Sequence, residues 1–126
     1  MINKLKISPD IASLIVRIII GGIFVCSGWA KIGDMADTLS KFGDMGITAP
    51  LTYLVSYGEL IGGLMLIIGL WTELAAFFLA IVMIVAVYMT RNFGFLVFAF
   101  PLATLAGLIA ILGAGAGKYK VKQPHI

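Results

Sequence analysis

Cysteine, histidine and charge are all scarce in this chain. Its 126 residues include one cysteine, one histidine and a charged fraction of only 12%. Cys26 stands alone inside an apolar run, so neither an internal disulfide nor a Cys-x-x-Cys relay can form. It is expected to pack as a small hydrophobe, with an intermolecular thiol role as the alternative. His125 lies near the chain end, where a solvated side chain is expected. Haem and iron–sulfur centres therefore lack their ligands, and no metal site is expected. A Ser, His and Asp nucleophile set cannot be assembled, and no glycine-rich loop follows a strand to cradle phosphate. The net charge of +3 comes with lysines gathered at the two ends, Lys4 and Lys6 against Lys118, Lys120 and Lys122. With no basic face, nucleic acid is not an expected partner; anionic lipid headgroups are.

Apolar sequence is abundant. Hydrophobic residues make up 61% of the chain and the mean hydropathy is +1.10. Four stretches are long enough to cross a bilayer, at about 11–32, 51–71, 74–90 and 95–112. They predict an all-α transmembrane four-helix bundle, a single membrane domain over residues 1–126 with the lipid bilayer as its first partner. No length remains for a soluble catalytic domain. The first stretch is too long for a signal-peptide core and no Ala-x-Ala-like site follows it; Val25, before Cys26, is too large for a lipoprotein cleavage site. An even number of spans puts both termini on one face, where five lysines oppose Lys31, Lys41 and Arg91, so cytoplasmic termini are expected.

The connections carry their own signals. Between spans 1 and 2, Leu39, Phe42 and Met45 recur every third residue among Asp34, Asp37, Lys41 and Asp44. That pattern predicts a short amphipathic helix on the interface, either a plain surface helix or a lid over the bundle mouth. Trp71-Thr72-Glu73 is so short that the helices it joins must be antiparallel neighbours. Pro101 is expected to kink the fourth helix or mark its ordered start. Gly58 and Gly62, and Ala103 with Gly107, offer small-residue faces for close helix approach, within one copy or between copies of a homo-oligomer.

Glu59 lies well inside the second apolar run. An ionised carboxylate in hydrocarbon is costly, so it must face the interior, find a partner or become protonated. Arg17 lies roughly 10 Å into the first span and Glu59 roughly 12 Å into the second from the opposite side. Across a core about 30 Å thick their levels differ by about 8 Å, which two long side chains can bridge. Two readings stand for Arg17: snorkelling to the headgroups, or pairing with Glu59. Tyr57 is within one turn of the acid, while Trp29 and Lys31 suit the far interface, with the ammonium in water.

These residues fall into a pattern. Arg17-x-x-x-Gly21-x-x-Phe24-x-x-x-Gly28-x-x-Lys31 resembles the opening of DoxX-family membrane proteins. So do Phe42 to Gly46, Glu59-x-x-Gly62-Gly63 through Gly69-Leu70-x-Thr72, and the closing Gly115-Ala116-Gly117-Lys118-Tyr119. The resemblance covers nearly the whole chain and implies a multi-pass protein of a bacterial or archaeal cytoplasmic (inner) membrane. It links the chain to quinone-coupled sulfur oxidation and to membrane oxidoreductase assemblies against thiol stress. Arg17, Lys31 and Glu59 are the polar positions that carry over. Pro101 stands where the family often has an acid, a histidine common near the end of the third span is missing, and Lys122 replaces the acidic end of the tail motif.

Two functions follow as expectations. In the first, the chain is a subunit or accessory of a quinone-linked oxidoreductase. Arg17, Lys31, Tyr57 and Glu59 are then the ligand-binding candidates, Glu59 the candidate proton donor or acceptor, and a partner protein supplies the redox centre. No cofactor can be identified from the residues themselves; a quinone is what the resemblance leaves open. In the second, the chain is a non-enzymatic assembly factor or small-molecule carrier, and Arg17 and Glu59 are structural glue.

Overall fold

The computed structural model describes residues 8–115, so Lys4, Lys6, Lys118, Lys120, Lys122, His125 and most of the tail motif lie outside the described residues. Five helices and no strand occur among the described residues: α1 (Pro9–Gly33), α2 (Met35–Asp44), α3 (Ala49–Ile68), α4 (Thr72–Thr90) and α5 (Phe95–Ala114). Four of them, α1, α3, α4 and α5, are long and apolar enough to cross a membrane. The short α2 falls between the first two, where the three-residue spacing predicted it.

Local chemistry sets the boundaries. Pro9 opens α1 and Pro50 sits in the first turn of α3, positions where no helical N–H is needed. The side chain of Asp34 accepts the Asp37 N–H at 3.2 Å and caps α2. On α2 the hydrogen bond to Asp37, and then its charge, hold the Lys41 ammonium pKa above the ordinary lysine value. The second span ends at Ile68 rather than Trp71, because Gly69 adopts a left-handed conformation (φ 78°) and its N–H closes on Met65 O. Trp71 is also left-handed, at φ 43°, and the chain has reversed by Thr72. The α3–α4 turn is as tight as expected. Pro101 lies inside α5, which continues through it.

The four long helices pack in a ring, α1 on α3, α3 on α4, α4 on α5 and α5 back on α1, while α2 rests on the end of α1 and the start of α3. The inner faces mix small and polar residues with apolar ones. Inside α1 lie Ser13, Arg17, Gly21 and Gly28; inside α3 lie Thr52, Ser56, Glu59, Gly62 and Gly63. Large aliphatic residues such as Ile15, Ile19, Leu54 and Ile61 point outward. Lipid tails solvate aliphatic side chains as well as a core does, so small and polar residues are left to make the helix contacts. A compact apolar cluster of Phe24, Leu66, Leu79, Leu108 and Ile111 fills the centre.

Two expectations about packing change. Cys26 is exposed on the outer face of α1 and is not a packing residue of the core. Ala103 also faces outward; in its motif only Gly107 meets a neighbour, the Ile20 side chain of α1. Gly58 and Gly62 serve contacts within this chain, against Phe78 and Leu79 of α4.

Candidate functional site

The α1–α3 seam is where two backbones meet. A Cβ on Gly21 would lie 2.6 Å from Gly63 O, and one on Gly63 would lie 2.6 Å from Gly21 O. Two turns along, a Cβ on Gly28 would lie 2.6 Å from Leu60 N and 2.9 Å from Ser56 O. Only glycine permits this approach, and it presses the side chains next to Gly28 against α3.

Ser27 and Lys31 are those side chains, four residues apart and so on one face of α1. The Lys31 ammonium donates to both carboxylate oxygens of Glu59, at 3.0 and 2.9 Å, and to Ser27 Oγ at 2.7 Å. Ser27 Oγ in turn donates to Glu59 Oε2 at 2.7 Å. Both carboxylate oxygens, the hydroxyl and the three ammonium protons are thereby engaged. Glu59 is almost wholly buried, at 2% exposure, whereas the Lys31 side chain keeps 25%. The cation is the part of the cluster that reaches outward. Above it, Thr38 Oγ1 of α2 donates to the Lys31 carbonyl at 3.0 Å and ties α2 to the seam's mouth.

The partner of Glu59 is therefore Lys31 and not Arg17. Arg17 is fully buried and its Nη1 donates to Leu66 O at 3.1 Å, about two turns (10 Å) further along α3 than Glu59. The expected levels fail because α3 does not start where α1 stops. α2 carries the chain past the end of α1, and the Ser27–Glu59 contact sets α3 beginning about 6 Å beyond Gly33. Arg17 meets one of the last carbonyls of α3, where no intrahelical N–H remains and the helix dipole favours a cation. Its role there is a helix cap, which accounts for its burial without snorkelling.

Tyr57 does not join the cluster. Two residues from Glu59 is about 200° around a helix, and Tyr57 is exposed on the outer face of α3. Lys31 turns into the bundle instead of standing in water. Ser27 escaped the sequence reading, although its spacing to Lys31 across Gly28 was there to be read. Thr52 and Ser56, fully buried, continue the polar face of α3 from Glu59 towards α2, each donating to a carbonyl of its own helix.

A four-span helical bundle with an acid, an ammonium and a hydroxyl engaged inside a glycine-lined seam defines a multi-pass membrane protein with a built polar centre. The chain belongs to the DoxX family, whose profile matches residues 12–92, a range that holds Ser27, Lys31 and Glu59. A Bacillus subtilis (strain 168) protein named "Putative oxidoreductase CatD" is 34% identical over 80 residues, covering 64% of this chain and 60% of that relative's length. The Escherichia coli (strain K12) protein named "Inner membrane protein YqjF" is 29% identical over 127 residues, 94% of this chain and 95% of the relative. No solved structure gives a significant match.

Proposed function

We propose that this chain acts, as one membrane domain, as a subunit or accessory of a quinone-linked oxidoreductase in a bacterial or archaeal inner membrane. The observation that carries the reading is the Ser27–Lys31–Glu59 cluster: an acid and a base in direct contact, buried at membrane depth yet reaching the mouth through Lys31. Quinone reduction and quinol oxidation move protons together with electrons, and a buried acid–base pair holds a proton at a defined place. The name of the Bacillus relative points to redox work, and that of the Escherichia relative to the inner membrane. Lys31 and Glu59 are the site residues in this reading, with Ser27 holding both; Arg17 is set apart as a cap. The support for cytoplasmic termini is the count of Lys and Arg along the sequence.

The test is mass spectrometry of lipid extracts from gently purified wild type, Glu59→Gln and Lys31→Met. A quinone present in stoichiometric amount in the wild type and lost in both variants is the expected outcome. A second reading draws on the completeness of the cluster. Because its polar atoms satisfy one another, it also suits a structural tie in an assembly factor or carrier. No bound quinone in any preparation, with both variants merely less stable, would favour that role.

A further inference from the structure

The seam on either side of Glu59 is not alike. Towards the α2 face its lining is polar: half-buried Ser27 and Lys31 from α1, buried Ser56 and Thr52 from α3, and the latch at Thr38. Towards the face of the α3–α4 turn a packed layer comes first, with backbone contact at Gly21 and Gly63 and with Phe24, Leu66 and Leu79 at 2%, 0% and 0% exposure; the buried polar residues Arg17 and Ser13 lie beyond it. Water and protons follow polar groups, and a close-packed apolar layer holds neither.

We infer that the Lys31–Glu59 centre exchanges protons with one aqueous face only, the face that carries α2. This rests on the reading of that cluster as a proton-holding site and adds the side from which the proton comes. In the exchange, one proton leaves water at the α2 face and forms an O–H bond on Glu59, breaking its charge pairing. Lys31 keeps its three protons, and the cluster passes from net zero to net +1; release reverses the step. Ser27 and Lys31, both partly exposed, lie between the Glu59 carboxylate and the α2 face.

Few charged groups surround the centre. From α1, Lys31 touches Glu59 directly and Arg17 is engaged at Leu66, about two turns away. On α2 and its N-cap, Asp34, Asp37, Lys41 and Asp44 are exposed, and Lys41 is paired with Asp37 at 3.0 Å. From α4, Phe78 and Leu79 pack at Gly58 and Gly62. The titratable residues of α4 lie at its two ends, Glu73 at the start and Tyr88 at the finish, with the C-cap Arg91 stacked on the Tyr88 ring.

Difference infrared spectroscopy of the full chain in oriented proteoliposomes tests this. The protonated carboxyl band of Glu59 is assigned by its absence in Glu59→Gln, and pH is stepped on one face at a time with no quinone added. The band is expected to grow when the α2 face is acidified and to stay unchanged when the opposite face is. In Phe24→Ala, which opens the packed layer, it is expected to answer to both faces. A wild-type band that follows the opposite face, follows both equally, or never changes overturns the inference. Because no quinone takes part, a chain that binds none can still show one-sided exchange, so the two readings fail separately.

Discussion

At the scale of single residues, Lys31 and Glu59 are meaningful only as a pair. Removing one partner of a buried ion pair strands the other charge, which costs about 3–5 kcal/mol, whereas replacing both with apolar residues is often close to neutral. Lys31→Met and Glu59→Leu alone are therefore expected to destabilise the bundle by about that amount, and the double variant by clearly less. Denaturation of bicelle-embedded protein with SDS measures the three values as a double-mutant cycle. Single losses that simply add would show that the two side chains do not interact in the membrane. In the double variant a purely structural pair leaves function intact, while a proton-handling pair leaves a stable, inactive protein. Arg17 stands outside this cycle, because its guanidinium caps α3 at Leu66 rather than the acid.

At the scale of elements, the α1–α3 seam depends on glycines whose absent Cβ atoms let the backbones touch. Gly63→Ala would set a methyl group 2.6 Å from Gly21 O and 2.9 Å from Val25 N, both backbone atoms that cannot swing aside. The helices must separate, at a cost of about 1–3 kcal/mol as for other overpacked contacts. That separation also lengthens the Ser27 and Lys31 contacts with Glu59. Gly22→Ala is the matched control: nothing lies within 4 Å of its Cβ position. A helical Gly→Ala change there is expected to be neutral or to gain about 0.5–1 kcal/mol. The same SDS titration ranks Gly63→Ala well below Gly22→Ala; equal stabilities would mean the seam is looser than described. The sequence alone could not separate these glycines, since Gly21 and Gly22 are adjacent and differ only in which way the helix turns them.

At the scale of the whole molecule, length and hydropathy were enough to expect four spans, because bilayer thickness dictates run length whatever the packing, and the spacing of Leu39, Phe42 and Met45 was enough to expect a short helix between the first two. The partner of Glu59 was not legible in that way. It depends on an offset of about 6 Å between α1 and α3, which α2 imposes and no periodicity records. Orientation of faces was misread for a related reason: in lipid the rule that apolar residues go inside no longer ranks them, so Cys26 looked like core. Cys26 offers the direct check, being the chain's single native cysteine. It lies on the outer face of α1, seven residues from the helix end at Gly33, about 10 Å. A nitroxide attached there in proteoliposomes is expected to relax strongly with oxygen, which concentrates in the hydrocarbon, and weakly with a charged nickel chelate, which stays in water. A label that both reagents reach would put this face of α1 against a water-filled space. A label that neither reaches would bury it in a protein contact, and the outward-facing aliphatic residues beside it would then be covered by protein instead of lipid.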